Sequence, residues 1–137
     1  MYVVDASVWV SRFLPQDTFH VESRHWVEER VRRREAVIIP TIALAEIAGA
    51  VARNSGRDYE GTDAARLVEG LSISYFVAVD ENLARLGARV AATLFLRGAD
   101  AVYVAVAKRL NAPLVTWDNE QLTRGSPFIE TLSPAPA

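Results

Sequence analysis

The amino-acid sequence predicts an α/β domain with a central parallel β-sheet of four to five strands and helices on both faces. Two features of the sequence lead to this prediction. Short apolar runs of strand length alternate along the chain with longer segments of helical periodicity. The short runs are apolar throughout, which is typical of strands that are covered on both faces of a parallel sheet. The length of 137 residues fits a single domain.

The first strand is predicted at residues 2–4, and the carboxylate of Asp5 follows it directly. Ligands of open α/β sheets bind at the carboxyl ends of the strands, so Asp5 is a candidate site residue. The alternative is that Asp5 or Ser7 only caps the next helix. That helix is predicted at residues 7–14, and a longer amphipathic helix is predicted at residues 17–35.

Glu46 lies in an unusually apolar helix. A second strand is predicted at residues 37–39, and in the helix that follows it residues 42–52 are apolar except for Glu46. Such a helix is expected to be largely buried, and a buried glutamate needs a partner or a cation. The alternative is a glutamate that faces the solvent.

Asp100 is the third acid in an apolar setting. The elements before it are predicted from the same patterns: a polar helix at residues 58–71, a strand at 75–79, and a helix at 81–96 that Asp80 caps and Gly98 ends. Asp100 then opens a helix that carries no other charge before Lys108. It either caps this helix or belongs to a site. Because so apolar a helix is central to the fold, Asp100 is expected to point into the middle of the protein in both cases.

Asp118 follows a fourth predicted strand at residues 114–117. Asp118 and Gln121 also match a capping box, so a cap alone is the alternative here. A last edge strand is predicted at residues 128–131. The domain is therefore predicted to span residues 1–132, with residues 133–137 as a flexible C-terminal tail.

The composition excludes several kinds of chemistry. The chain has no cysteine and two histidines, which excludes disulfides, thiol catalysis and cysteine-bound zinc, so any metal must be held by oxygen. A net charge of −2 does not indicate a surface that attracts nucleic acid as a whole. No apolar run approaches the roughly 18 residues of a membrane span, and the apolar start lacks a basic leader. We therefore expect a cytoplasmic protein with no membrane contact.

Asp5, Glu46, Asp100 and Asp118 are expected to meet at one edge of the sheet, because the carboxyl ends of parallel strands lie along the same edge. Like charges at close range raise one another's pKa values, so such a cluster is stable only if protons or cations fill it. An all-oxygen set of ligands suits Mg²⁺ or Mn²⁺. The pattern therefore predicts metal-assisted hydrolysis of phosphodiesters.

Four segments of the chain resemble the PIN-domain ribonucleases, and most closely the VapC-type toxins of bacterial toxin-antitoxin pairs. They are Val-Val-Asp-Ala-Ser at residues 3–7, Pro-Thr-Ile-Ala-Leu-Ala-Glu-Ile at 40–47, Arg-Gly-Ala-Asp-Ala-Val-Tyr-Val-Ala-Val-Ala at 97–107 and Leu-Val-Thr-Trp-Asp at 114–118. The resemblance implies that the four acids bind Mg²⁺ or Mn²⁺, with Ser7 and Thr116 as supporting hydroxyls. It also implies a PIN-like domain, a homodimer and a VapB-like antitoxin that covers the active groove.

These observations together predict a metal-dependent endoribonuclease toxin that its antitoxin neutralises. A water activated by Mg²⁺ or Mn²⁺ would attack an RNA phosphodiester in line and leave 5′-phosphate and 3′-hydroxyl ends. Single-stranded loops are the expected substrate, because base-specific reading of RNA needs unpaired nucleotides. Arg12, Arg97 and Trp117 are candidate substrate contacts, with ordinary surface or core roles as the alternative. The alternative functions are a receiver-like or phosphatase-like Mg²⁺ phosphotransfer domain and a non-catalytic metal-binding interaction module.

Overall fold

The computed structural model describes residues 1–135 of the chain. In chain order its elements are β1 (Tyr2–Val4), α1 (Ala6–Phe13), α2 (His20–Arg33), β2 (Val37–Pro40), α3 (Ile42–Ser55), α4 (Asp58–Gly70), β3 (Ser74–Val77), α5 (Glu81–Leu94), α6 (Gly98–Leu110), β4 (Leu114–Val115), α7 (Asn119–Gly125) and β5 (Thr131–Leu132). The five strands form one sheet in which every neighbouring pair is parallel. The predicted α/β fold class, with a single domain around a parallel sheet, is confirmed.

The sheet has the strand order β3-β2-β1-β4-β5, so its topological switch point lies between β1 and β4. The chain moves outward from β1 through β2 to β3, and then crosses back to add β4 and β5 on the other side of β1. Because parallel crossovers are right-handed, the helices of the two halves lie on opposite faces of the sheet. The loops after β1 and β4 diverge, and in such a sheet the crevice between them is where ligands bind.

The core is centred on β1, β2 and α6. Val3 and Ile39 are fully buried in the two strands, and every residue of α6 from 101 to 107 is buried as well. Each buried valine, leucine or isoleucine stabilises the fold by roughly 1.5–3 kcal/mol relative to an exposed side chain. No single helix within residues 1–135 is long and apolar enough to cross a membrane; α5 and α6 reach that length and composition only as a pair bent by 108°.

Two expectations about the helices need correction. Gly98 does not end α5: Phe95 does so in the left-handed conformation, with φ of 56°, and Gly98 is the first residue of α6. The turn between the two helices therefore lies at residues 95–97, ahead of the glycine. The helix α3 is also less buried than its composition predicts, because Ile47 and Val51 face the core while Ala45 is exposed. Alanine is small enough to be tolerated on either face, so the apolar pattern overstated the burial.

The helices α3 and α4 pack closely, and Gly61 makes this possible. A Cβ atom at Gly61 would lie 2.2 Å from the carbonyl oxygen of Ala48, so no other residue fits without a shift of the backbone. The contact holds α3 in place, and α3 carries Glu46.

The C-terminal segment continues beyond β5 along the protein surface. Pro134 is buried, and it lines a groove together with residues of α2. The predicted tail, residues 133–137, includes Pro136 and Ala137, which lie outside the described residues.

Candidate active site

A cavity of about 610 Å³ lies at the switch point of the sheet, where the chain leaves β1 and β4. Three of the four predicted acids line it, namely Asp5, Glu46 and Asp100. A slightly larger groove of about 680 Å³ runs along α2 and contains none of the four. We place the candidate site in the smaller cavity, because it contains the acids and lies at the switch point of the sheet, where ligands bind in such folds. The volume of a groove alone does not indicate a function.

Asp5 is both a helix cap and a buried acid of this cavity. Its Oδ2 accepts a hydrogen bond of 3.0 Å from the backbone N–H of Ser7, which caps α1. Only 5% of the residue is exposed, and burial raises the pKa of Asp5. Hydrogen bonds from Ser7, Gln121 and Thr116 act in the opposite direction. Asp5 therefore caps α1 and lines the cavity at the same time, so the cap does not exclude a role in the site.

Gln121 and Thr116 hold Asp5 from the β4 side. Gln121 is fully buried, and its Nε2 donates hydrogen bonds to Asp5 Oδ1 at 3.3 Å and to the carbonyl oxygen of Asp100 at 3.4 Å. The Thr116 hydroxyl lies 2.6 Å from Gln121 Oε1 and 3.2 Å from Asp5 Oδ2. Its one hydrogen serves one acceptor at a time, so the network restricts how the Asp5 carboxylate can turn. The sequence indicates Gln121 only as part of a capping box, and no pattern signals its contact with Asp5.

Ser7 lies close to the other predicted supporting hydroxyl. Its Oγ is 3.4 Å from Thr116 Oγ1, and it accepts a hydrogen bond of 3.1 Å from the backbone N–H of Trp117. These contacts tie the first turn of α1 to the loop after β4. Ser7 and Thr116 therefore join the two sides of the crevice.

Glu46 has a partner that the sequence did not reveal. The hydroxyl of Tyr103, a fully buried residue of α6, donates a hydrogen bond of 2.8 Å to Glu46 Oε1. Burial raises the pKa of Glu46, the charge of Asp5 adds to the shift, and the bond from Tyr103 lowers it. Tyr103 falls within the apolar run of α6, where an aromatic residue is typical of a core. Its hydroxyl faces Glu46 because of the way α6 packs against α3, and the sequence does not give that packing.

Asp100 lies in the first turn of α6, where Arg97 rather than Asp100 is the N-cap. Its pKa is raised to about 6, and burial is the largest cause. The charges of Asp5, Asp118 and Glu46 raise it further, while nearby Arg97 lowers it. Asp100 therefore lies close enough to the other three predicted acids to interact with them electrostatically.

Asp118 has the capping role that its sequence context indicates. Its Oδ1 accepts a hydrogen bond of 2.8 Å from the backbone N–H of Gln121 at the start of α7. It is half-buried and is not among the described residues that line the cavity. Its charge nevertheless raises the pKa of Asp100. Asp118 therefore influences the acids of the cavity electrostatically without lining it.

The donor set suits a hard divalent cation, although the carboxylates do not converge on one point. The four acids offer oxygen atoms only, and the raised pKa values of Asp5, Glu46 and Asp100 indicate a site where negative charge lacks compensation. Within residues 1–135 no three acids or histidines are spaced as direct ligands of one ion. Mg²⁺ keeps several waters and needs only one or two direct carboxylates, so the residues present would fit such an ion.

The predicted substrate contacts are found in different places. Trp117 lines the cavity, and Arg97 lies beside Asp100 at the start of α6. Arg12 is half-buried, with its guanidinium 5.1 Å from the centre of the Phe13 ring, and it is not among the described residues that line the cavity. Arg53 is the one basic side chain among those lining residues, and the sequence did not single it out.

Without metal, the Asp100→Asn protein is expected to be more stable than the wild type at neutral pH. The pKa of Asp100 is about 6 in the folded protein, above the ordinary aspartate value of 3.8, so folding favours the protonated acid. The ionised Asp100 therefore destabilises the folded protein. This loss of stability is absent at a pH well below 3.8, grows as the pH rises from 3.8 to about 6, and is complete at higher pH. Asparagine carries no such penalty. Allowing for solvent screening, we expect a gain of about 1–2 kcal/mol at about pH 7.5.

Thermal melting in chelator measures this gain. The difference between the two proteins should fall to less than half at about pH 4.5, because protons then occupy the folded wild-type site. A difference that stays constant between these pH values would contradict the raised pKa of Asp100.

A sequence model of the family described as PIN domain matches residues 2–125. No curated protein matches the chain. Among solved structures, the chain is similar to the Mycobacterium tuberculosis toxin VapC20, which is described as cleaving the sarcin-ricin loop. The TM-score is 0.75 at 15% identity, and the match covers 94% of this chain and 96% of that one. It is also similar to VapBC2 from Rickettsia felis bound to a promoter DNA fragment, with a TM-score of 0.71 at 16% identity and coverage of 96% and 97%. A toxin-antitoxin complex from Klebsiella pneumoniae gives a TM-score of 0.71 at 14% identity, with both chains covered in full at 100%. At these identities the likeness to solved structures establishes a shared fold.

Proposed function

This chain belongs to the PIN-domain family, and on that premise we propose that it is a metal-dependent endoribonuclease of the VapC toxin type. The observation that carries the proposal is the position of Asp5, Glu46 and Asp100 on the wall of one cavity at the switch point of the sheet. Burial and the neighbouring carboxylates raise the pKa of Asp100 there to about 6. A cluster of acids that hinder one another's ionisation is costly in a purely structural role. It becomes useful when a divalent cation takes the place of the missing positive charge.

Asp5, Glu46 and Asp100 would hold Mg²⁺ or Mn²⁺ from the cavity wall, and Asp118 would act on them electrostatically. The chemistry that such an ion supplies is activation of a water and neutralisation of charge on a phosphodiester. Gln121 donates its hydrogen bond of 3.3 Å to the Asp5 carboxylate, and the Thr116 hydroxyl donates either to Gln121 or to Asp5, so the pair restricts the orientation of that carboxylate. The side chains of the protein thus orient charge and do not themselves attack the substrate.

The positive groups at the cavity suit a polyanionic substrate. Arg53 lines the cavity and forms no ion pair within residues 1–135. Arg97 is exposed beside Asp100. Each can contact a phosphate on one side of the bond to be cleaved, as arginine does in many nucleic-acid sites. We propose RNA with single-stranded loops as the substrate, because unpaired nucleotides can enter a cavity of this size.

We also propose that the protein is neutralised by a VapB-like antitoxin, forms a homodimer and acts in the cytoplasm. The support is the shared fold with chains from toxin-antitoxin complexes. Co-expression with the product of a neighbouring antitoxin gene, followed by purification of a complex, tests the partner. Light scattering of the purified toxin tests the dimer.

Incubation of the purified protein with a pool of structured RNAs tests the activity. We expect cleavage in Mn²⁺ or Mg²⁺ that chelator abolishes, with products that carry 5′-phosphate and 3′-hydroxyl ends. A protein that melts at a higher temperature in Mn²⁺ but cuts no RNA would support the non-catalytic metal-binding alternative. If metal changes neither its melting nor the RNA, the proposal is wrong.

A further inference from the structure

Two aromatic side chains are stacked at the mouth of the candidate site. The rings of Phe19 and Trp117 have centroids 3.9 Å apart and an angle of 8° between their planes. Both residues line the same cavity as Asp5, Glu46 and Asp100. Phe19 precedes α2 and Trp117 follows β4, so the pair is brought together by the fold and not by its position in the sequence.

Both aromatic residues are held in place by polar contacts. The indole Nε1–H of Trp117 donates a hydrogen bond of 2.7 Å to Ser23 Oγ, and its backbone N–H donates to Ser7 Oγ. The backbone N–H of Phe19 donates a hydrogen bond of 2.8 Å to Asp17 Oδ1. The Trp117 ring is thus anchored by its own hydrogen bond, and the Phe19 ring stacks on it, which reduces the loss of conformational entropy on binding.

Phe19 remains open to the solvent although it is aromatic. The residue is 39% exposed, while Trp117 on the other side of the stack is half-buried. An exposed phenylalanine beside a cluster of acids does not contribute to the core. A flat and exposed ring is a surface on which a nucleobase can stack, because every base presents a π-face.

We propose that Phe19, supported by Trp117, is a platform on which one unpaired base of the RNA stacks next to the bond to be cleaved. This inference rests on the proposed ribonuclease function and assigns a residue for substrate recognition within it. Arg53 lies on α3 and lines the same cavity. The Arg53 side chain lies close to Gly49, where a Cβ atom would be 3.1 Å from Arg53 Nη1. A nucleotide can thus place its base on Phe19 and a phosphate near Arg53.

The test uses a single-stranded RNA oligonucleotide that the wild type cleaves, and copies of it with an abasic ribose at each nucleotide beside the cleaved bond. We expect one abasic position to raise the KM of the wild type about 5- to 100-fold, with a smaller change in kcat. The Phe19→Ala protein should have a similarly raised KM for the intact RNA and should not respond to the abasic substitution. Phe19→Tyr, which keeps the ring, should behave like the wild type.

A matched control is Tyr59→Ala, which removes an exposed aromatic side chain of α4 that does not line the cavity. This variant should retain the wild-type KM and the wild-type response to the abasic site. A second readout is the fluorescence of 2-aminopurine at the responsive position, measured with Ca²⁺ in place of Mn²⁺ to keep the RNA intact. Stacking on Phe19 should quench it in the wild type and not in Phe19→Ala. If Phe19→Ala does not fold, Phe19→Leu replaces it, because leucine keeps the apolar contact with Trp117 and removes the π-face.

Different outcomes separate this inference from the function on which it rests. If the wild type cleaves RNA but Phe19→Ala shows the same KM and the same abasic response, the platform is wrong and the ribonuclease proposal stands. If the wild type cleaves no RNA in Mn²⁺ or Mg²⁺, both are overturned.

Discussion

Replacement of Asp100 by asparagine is expected to reduce RNA cleavage at least about 100-fold while the protein remains folded. Asp100 lines the cavity at the start of α6, where burial and the charges of the other three acids raise its pKa to about 6. Asparagine has nearly the same shape but carries no charge, so it is a poor ligand for Mg²⁺ or Mn²⁺. Single-turnover cleavage of one RNA in Mn²⁺ gives the ratio of the two rates.

The matched control for this experiment is Asp63→Asn, the same change at an exposed acid of α4 that does not line the cavity. It should cleave at the wild-type rate. Circular dichroism and thermal melting establish that the Asp100→Asn protein is folded, and in chelator it should be the more stable of the two at neutral pH. A folded Asp100→Asn protein with full activity would show that Asp100 is not part of the catalytic site.

Gln121→Leu is expected to reduce cleavage about 10- to 100-fold, although Gln121 does not line the cavity. Leucine has a similar volume but cannot donate to Asp5 Oδ1 or accept from the Thr116 hydroxyl. The Asp5 carboxylate would then lose a hydrogen bond that favours its charged form. Loss of one buried partner costs about 1–3 kcal/mol, so we also expect a lower melting temperature.

A role in positioning Asp5 can be distinguished from a loss of folding by the metal dependence. In Gln121→Leu the Mn²⁺ concentration for half-maximal cleavage should rise, and saturating Mn²⁺ should restore part of the rate. The exposed Gln16 offers a control, since Gln16→Leu should change neither quantity. A Gln121→Leu protein that melts at a lower temperature, but cleaves with the same rate and metal dependence, would limit Gln121 to a structural role.

The parts of the site that could be predicted from the sequence are those fixed by one strand and the residue after it. Asp5 follows β1 and Asp118 follows β4, and once the sheet is parallel both must lie at the same edge. The capping roles of these two aspartates were also visible in the sequence, and the structure has the cap and the acid in the same side chain. The local sequence pattern therefore indicates a helix cap and a candidate site residue at once, and it does not distinguish between the two.

Contacts between distant elements could not be predicted in this way. Tyr103 reaches Glu46 only because α6 packs across the sheet at one particular register, and Gln121 reaches Asp5 only through the turn after β4. The stack of Phe19 on Trp117 likewise joins residues almost a hundred positions apart in the chain, on the order of the length of a small domain. A sequence pattern reports which face of an element is apolar, but not which side chain of another element that face meets.

The measurement that tests the central claim most directly is the binding of Mn²⁺, followed by electron paramagnetic resonance, to the wild type, Asp100→Asn and Asp63→Asn. If the acids at the switch point share a divalent cation, the wild type and Asp63→Asn will bind Mn²⁺ with equal affinity, and Asp100→Asn will bind it at least about 10-fold more weakly. Equal binding by all three folded proteins, or binding by none of them, would contradict a metal site built from these acids.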